Sequence, residues 1–297
     1  MYKYLFFCIL MGSGWAMGAT PPKTLLPLTD LGGWLYPAYC TNDRDVIVAT
    51  ADLSEIRLLV HGEDSTRSVA RGERIGRRFA FEPGGQRLVF RARANALPGR
   101  PERLVSTSLV VYDPVQRTSN NVGDLLGPYF VAGRVLYRQS PLDPFLDYEG
   151  ETHVAGPYLD PATGRLLVRN EVGDTVFTSA PSARIAGAEI SPNGKWVAVV
   201  QVEPKRQLLI ISVETGGTVS AGDGFAPSWA GNSQSLICVR RTEKGIAELC
   251  LVAVPSGQMR VLLSDDRHDP ETPALNADGT RALFISRGGL FEIEIGP

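Results

Sequence analysis

Short apolar runs separated by polar turns recur along this chain from about residue 30 to its end. In the clearest copy, the short run 188–190 precedes the polar turn 191–195, and the strongly apolar runs 196–200 and 208–213 follow. The runs are rich in β-branched and aromatic residues, and almost no segment has the 3.6-residue period of a helix. The pattern therefore predicts a nearly all-β body.

The same unit can be counted six times. The turns of the six copies lie at 40–44, 82–86, 131–133, 191–195, 230–234 and 276–280. A unit of roughly 46 residues is close to the span of a four-stranded propeller blade. We therefore predict a single domain folded as a six-bladed β-propeller. A β-sandwich is the alternative, but it would not explain why the same turn recurs at the same place in each unit.

The predicted blades and the closure of the ring follow from these copies. The blades are expected at roughly 30–70, 71–123, 124–170, 171–222, 223–264 and 265–297. The last copy has only three strands, which would leave an open edge. We expect the segment 23–28 to supply the fourth strand of the last blade, where Pro27 is tolerable on an outer edge. Two segments, 139–151 and 171–184, are longer than a normal blade loop.

The first nineteen residues have the pattern of a secretory signal peptide. Lys3 precedes an apolar stretch from Tyr4 to Met11, and small residues that permit cleavage follow. An uncleaved N-terminal anchor is the alternative, although the apolar stretch is shorter than the roughly 20 residues of a spanning helix. We therefore expect export without a membrane span after cleavage.

Composition and charge exclude several classes of protein. The chain has 297 residues, a formal net charge of −2 and 43% hydrophobic residues, which is enough apolar material for a full core. No long Lys/Arg run provides an electrostatic footprint for nucleic acid. We expect a monomer that binds no nucleic acid and needs no cofactor.

Three cysteines remain beyond the predicted signal: Cys40, Cys238 and Cys250. Cys238 and Cys250 lie on two apolar runs joined by a turn, so a disulfide across the hairpin is one interpretation. The other is three buried thiols that act as small hydrophobic side chains, because directly opposed strand residues often miss disulfide geometry. No Cys/His spacing indicates a metal site.

Three repeat segments carry a resemblance to a known family. SPNGKWVAVV, PSWAGNSQSLICV and PALNADGTRALFIS resemble the WD40-like propeller repeats of the TolB family, the periplasmic component of the Tol-Pal envelope system. The resemblance covers residues 36–295 and is strongest from Gly187 onward. It implies a periplasmic propeller with envelope proteins as partners, Pal-like or Tol components among them. Full members carry an α/β domain ahead of the propeller, which we expect to be lacking here.

Candidate chemistry is sparse, and the best candidate site is a loop cluster. The chain has no Gly-x-Ser-x-Gly, His-Glu-x-x-His or phosphate-binding glycine motif. The segment 265–271 precedes the innermost strand of the last predicted blade, where loops converge on the mouth of a propeller channel. Together with equivalent positions of other blades, this predicts a partner-binding rim formed by Arg77, Arg78, Tyr129, Asp223, Phe225, His268, Asp269 and Glu271.

Two functional hypotheses remain. The first is a secreted, non-enzymatic scaffold whose propeller face binds an envelope protein; the alternative reading of the rim is an ordinary solvated loop. The second is a hydrolase or lyase with a channel-mouth site built from Asp269, His268, Glu271 and Arg77, because propellers assemble sites from distant blades. The TolB-like repeats and the lack of catalytic motifs favour the scaffold.

Overall fold

A computed structural model gives the fold of the chain. It describes residues 21–26, 33–40, 42–72, 75, 79–81, 88–93, 107–113, 118–123, 126–131, 134–138, 143–147, 152–160 and 162–296. All regular structure within these ranges is β-strand. None of the described segments forms a helix with the length and apolar character needed to cross a bilayer. The predicted signal peptide lies outside the described residues.

The first three sheets are four-stranded. Sheet 1 contains β2 (Trp34–Tyr39), β3 (Val46–Thr50), β4 (Glu55–Leu59) and β5 (Thr66–Arg71). Sheet 2 contains β6 (Phe79–Phe81), β7 (Leu88–Arg93), β8 (Thr107–Asp113) and β9 (Thr118–Gly123). Sheet 3 contains β10 (Leu126–Val131), β11 (Arg134–Arg138), β12 (Phe145–Asp147) and β13 (Thr152–His153).

The remaining four sheets follow in chain order. Sheet 4 has three strands, β14 (Gly156–Leu159), β15 (Leu166–Arg169) and β16 (Thr175–Thr178). Sheet 5 contains β17 (Arg184–Ile190), β18 (Trp196–Glu203), β19 (Gln207–Ser212) and β20 (Thr218–Ser220). Sheet 6 contains β21 (Phe225–Trp229), β22 (Ser235–Arg241), β23 (Ala247–Ala253) and β24 (Met259–Ser264). Sheet 7 contains β25 (Pro270–Leu275), β26 (Arg281–Ser286), β27 (Gly289–Glu294) and β1 (Lys23–Leu26).

The described residues therefore form seven small antiparallel sheets, one more than the six predicted blades. The difference arises in the predicted third blade, 124–170, which spans sheet 3 and most of sheet 4. The segment 152–159, which lies inside the predicted third blade, contains two strands of different sheets, because β13 pairs with β12 while β14 pairs with β15. The long segments 139–151 and 171–184 contain β12 and β16, so each supplies a strand.

Central strands are apolar on both faces because neighbouring sheets cover both. In β18, the four residues Val197 to Val200 are all buried. They divide between two clusters, since Val197 and Val199 pack toward sheet 4 and Ala198 and Val200 pack toward sheet 6. The outermost strand of the same sheet, β20, is exposed at all three residues. This gradient from buried to exposed explains why the middle strands gave the clearest sequence signal.

The first and last sheets meet. The predicted N-terminal strand is present as β1, which pairs antiparallel with β27 through Lys23 and Glu292. A buried cluster joins Trp34 and Val48 of sheet 1 to Leu283 and Leu290 of sheet 7. The N-terminal strand thus pairs with the last sheet, and the first and last sheets pack against each other.

Hydrogen bonds link the repeated turns of sheets 5, 6, 7 and 1 in succession. The Asn193 backbone N–H donates to Ser233 Oγ at 3.0 Å, and the Asn232 N–H donates to the Ala277 carbonyl at 2.8 Å. The Ala277 N–H in turn donates to the Asp43 carboxylate at 2.9 Å. At Gly231, a Cβ atom would lie 2.9 Å from Ala277 Cα, so this turn needs glycine. We call the side of the molecule that carries these turns the turn face.

Among the described residues, sheet 4 has no counterpart of the innermost strand of the other sheets. First strands of neighbouring sheets approach each other, as β21 and β25 do, and they are the innermost strands. β10 of sheet 3 also approaches β17 of sheet 5 directly, so no strand of sheet 4 separates them. The free edge of β14 is protected, because Pro157 has no N–H and its carbonyl accepts a 2.9 Å hydrogen bond from buried Arg138.

Candidate functional site

Five of the predicted rim residues lie where the chain enters β21 and β25: Asp223, Phe225, His268, Asp269 and Glu271. In an antiparallel sheet successive connections alternate between the two ends, so these segments lie on the side opposite the turn face. We call this side the rim face; it contains residues 222–225 and 265–269. Arg77 and Arg78 fall outside the described residues. Tyr129 lies on β10 opposite Leu136.

Asp223 is held by an arginine of the preceding sheet. Arg206 lies in the turn between β18 and β19, and its Nε and Nη2 atoms donate to the two Asp223 carboxylate oxygens at 2.6 and 2.7 Å. A fork of two charge-assisted hydrogen bonds fixes the orientation of both side chains. This contact raises the pKa of the Arg206 guanidinium above its ordinary value. Asp223 therefore presents an ordered, neutralised carboxylate.

Asp269 is held in the equivalent way one sheet further on. Arg241 ends β22, and its Nη2 atom donates to Asp269 Oδ1 at 3.2 Å. The Asp269 backbone N–H donates to Ser286 Oγ at 2.9 Å. In both cases an arginine next to the second turn of one sheet contacts an aspartate on the connection to the next sheet. The rim thus carries a repeated Arg–Asp pair.

Phe225 belongs to the rim and to the core at once. Its ring packs on the buried cluster between sheets 5 and 6, and the Arg206 guanidinium carbon lies 5.9 Å from the ring centroid. This is within the range of a cation–π contact. Phe225 therefore supports the arginine that orients Asp223.

The innermost strands have a β-bulge directly behind the rim. Pairing shifts between Phe225 and Ser228 in β21 and between Glu271 and Ala274 in β25. Within each bulge a residue has a positive φ angle, 49° at Ala226 and 42° at Thr272. A bulge bends its strand and re-aims the neighbouring side chains, and bulges are common next to functional sites. Phe225 and Glu271 thus occupy equivalent positions in neighbouring sheets.

His268 is directed into sheet 7. Its ring lies edge-on to Phe291 and Phe284, with centroid separations of 5.1 and 6.1 Å. Its Nδ1 atom is 3.0 Å from Asp265 Oδ1, which also accepts the backbone N–H groups of Arg267 and His268. Burial opposes ionisation of Asp265, but these hydrogen bonds outweigh it and lower the pKa of the carboxyl.

The rim side chains are therefore held in fixed positions, but their acidic and basic groups do not converge on one point. Asp269 is engaged with Arg241, His268 with Asp265, and Glu271 is exposed on β25. Within the described ranges, no group of three or more His, Cys, Asp or Glu side chains is arranged to hold a metal ion.

The cysteine pair has the predicted register. Cys238 on β22 lies directly opposite Cys250 on β23, and both side chains are buried. In this structure both are free thiols. Side chains of directly opposed strand residues stand side by side, which departs from the dihedral angle of about 90° that a disulfide prefers. Burial raises the pKa of the Cys250 thiol to about 12.

The sequence interpretation missed Arg206, Arg241 and Asp265 as ordering residues of the rim. Aligning the repeats beyond their turns would have placed Arg206 and Arg241 next to the second turn of sheets 5 and 6. Asp265 was part of the segment 265–271 singled out, but it was not named among the rim residues.

Comparisons with known proteins agree with the fold. No family model matches the chain, and no curated protein matches it. Among solved structures, TolB from Acinetobacter baumannii is similar with a TM-score of 0.55 and 16% identity, over 81% of this chain. The matched part spans 56% of that TolB chain. A WD40 propeller from a structure of the mitotic checkpoint complex is similar over 100% of both chains, with a TM-score of 0.59 and 12% identity. The chain thus has the all-β fold of a TolB-like, WD40-like propeller.

Proposed function

We propose that this chain is an exported, periplasmic, non-enzymatic propeller that binds a protein of the cell envelope through its rim face. The observation that carries the proposal is the repeated Arg–Asp pair, Arg206 with Asp223 and Arg241 with Asp269. Each pair holds opposite charges in fixed positions at the surface. Preorganised charges of both signs beside an aromatic ring suit a protein interface, where electrostatic complementarity sets orientation and specificity.

Two further observations support the proposed periplasmic location and the proposed class of partner. The pattern of residues 1–19 favours export. The fold shared with TolB, together with the resemblance of the repeats, favours an envelope protein, with Pal-like or Tol components as the first partners to test.

The experiment is capture of partners in cells. The full chain with a C-terminal tag is cross-linked in intact cells, purified and analysed by mass spectrometry, alongside an Arg206→Glu, Arg241→Glu double variant. We expect envelope proteins to be enriched with the wild type and lost with the double variant. Arg67→Glu is the control, because Arg67 is an exposed arginine of β5 that pairs with Glu63 away from the rim. An unchanged set of partners in the double variant would contradict the proposal.

The alternative, a hydrolase or lyase at the channel mouth, has one observation in its favour. Asp265 and His268 form a carboxylate–imidazole pair of the kind that orients a general base. His268→Gln separates the two functions, since we expect it to leave partner capture unchanged. Loss of a hydrolytic or eliminating activity of the purified protein in that variant would favour the enzyme instead.

A further inference from the structure

A cavity of about 770 Å³ lies on the turn face, where sheets 4, 5 and 6 meet. Its walls are connections between strands together with the strand ends beside them: residues 170–172 of sheet 4, residues 194–196, 212–215 and 217–219 of sheet 5, and Pro255 of sheet 6. The volume lies within the range of about 300–1,000 Å³ that is typical of ligand sites. We call this cavity the turn-face groove. It is separate from the rim, which lies on the other side of the molecule.

Apolar side chains are exposed in the turn-face groove. Val172 is 81% exposed at the tip of the tight turn between β15 and β16, and Val219 is 36% exposed on β20. Only four large hydrophobic side chains are exposed among those the structure describes, and these two share one cavity. Trp196 lines the same groove and is half-buried. Tryptophan in such a position is a common anchor of binding interfaces.

The charge of the groove is predominantly acidic. Glu171 and Glu214 line it from two neighbouring sheets, and Lys195 is the basic residue of the lining. Neither glutamate side chain has an ion-pair or hydrogen-bond partner among the described residues. With two glutamates against one lysine the lining has a net negative charge, which favours a ligand that brings a positive charge.

We propose that the turn-face groove binds an extended peptide segment of a partner protein, one that carries an apolar side chain next to a lysine or arginine. The apolar side chain packs on Val172, Val219 and Trp196, and the basic side chain pairs with Glu171 and Glu214. A groove built from turns of three successive sheets accommodates a segment running across them rather than a compact ligand.

The test is selection from a displayed library of random-sequence peptides on the purified protein, residues 20–297. We expect enrichment of a motif with an aliphatic or aromatic side chain beside Lys or Arg. A synthetic peptide with that motif should bind Val172→Asp at least ten-fold more weakly than wild type. A Glu171→Lys, Glu214→Lys variant should change the selected motif from basic to acidic.

The matched control is Val202→Asp. Val202 is also 36% exposed and lies at the opposite end of β18 from Trp196. We expect the peptide to bind Val202→Asp and the rim variant Arg206→Glu, Arg241→Glu as tightly as wild type. A result that contradicts the proposal for the groove is therefore distinguishable from one that contradicts the proposal for the rim. A selected motif that binds Val172→Asp as tightly as wild type, or the absence of any common motif, would overturn the proposal. Self-association that Val172→Asp abolishes would assign the groove to a second copy of the chain and would also overturn it.

Discussion

The Asp43 carboxylate accepts the Ala277 backbone N–H at 2.9 Å, although the two residues are 234 positions apart. Arg281 donates to the Asp43 carbonyl, and the Asn276 amide lies 3.4 Å from its second carboxylate oxygen. One aspartate in a turn of sheet 1 thus gathers donors from the turn of sheet 7. This contact lies where the first and last sheets meet. It extends to sheet 1 the series of hydrogen bonds that links the turns of sheets 5, 6 and 7.

Asp43→Ala should therefore destabilise the fold more than removal of an ordinary surface aspartate. The change leaves the Ala277 N–H without its acceptor, and a hydrogen bond to a charged group contributes about 1.5–3 kcal/mol. We expect a loss of that order in the free energy of unfolding, measured by urea denaturation. Asp64→Ala is the control, because Asp64 is exposed near the end of sheet 1 and should change stability by less than about 0.5 kcal/mol. Equal effects of the two changes would contradict the role of Asp43.

Ala226→Gly tests the bulge behind the rim. Ala226 has a φ angle of 49°, a conformation that costs a residue with a Cβ atom about 1 kcal/mol or more and glycine almost nothing. We expect the substitution to raise thermal stability.

The comparison for this bulge is Ala188→Gly in β17. Ala188 pairs with Val199 in regular strand and is absent from the residues with positive φ, so glycine there should lower stability. The bulge assignment fails if both substitutions shift the melting temperature in the same direction.

The sequence predicted the fold class because the middle strands of each sheet are buried on both faces and the turns carry hydrogen bonds between sheets. Ser191 and Asn276 each bond their own turn and help fix its shape, which is why the turn residues recur so visibly. The described residues form one sheet more than the six predicted blades, because they include neither an innermost strand of sheet 4 nor a repeated turn after such a strand. The hydrophobic pattern alone does not show that residues 152–153 pair with β12 while residues 156–159 pair with β15.

The rim was only partly predictable for a related reason. Asp223 and Asp269 lie on the connections to β21 and β25, and Phe225 begins β21. Their arginine partners come from the preceding sheet, 17 positions away for Arg206 and Asp223 and 28 for Arg241 and Asp269. Such unequal spacings follow from loop lengths, which the apolar pattern does not determine.

The three cysteines of the described chain should be unreactive in the folded protein. Burial raises the pKa of Cys40 and of Cys250 to about 12 and raises that of Cys238 as well, so almost no thiolate forms near pH 8. We expect dithionitrobenzoate to label no thiol of residues 20–297 under native conditions and three after unfolding in urea. A single reactive thiol in urea without reductant would instead show that Cys238 and Cys250 are bonded.

Asp265 should make stability depend on pH. Its pKa is lower in the folded state than the value of about 3.9 for a free aspartate, so its contribution is present above about pH 4 and is lost as pH falls through the folded pKa. Asp265→Asn should lower the free energy of unfolding at pH 7 by about 1–2 kcal/mol, because the hydrogen bonds to a charged acceptor are weakened.

The same variant should differ little from wild type at pH values below the folded pKa of Asp265, where the carboxyl is protonated. The measurement is urea denaturation of both proteins across the acid range. A stability difference that stays constant between pH 7 and the acid limit would contradict the role assigned to this carboxylate.

Photo-cross-linking from the two sides of the molecule in living cells tests the central claim most directly. A photoreactive amino acid replaces exposed Asp266 on the rim face in one protein and exposed Asp64, in a turn at the opposite end of the strands, in another. The account predicts that the Asp266 position yields a discrete cross-link to an envelope protein and that the Asp64 position does not yield that product. No cross-link from the Asp266 position, or the same product from both positions, would contradict a rim face that binds an envelope protein.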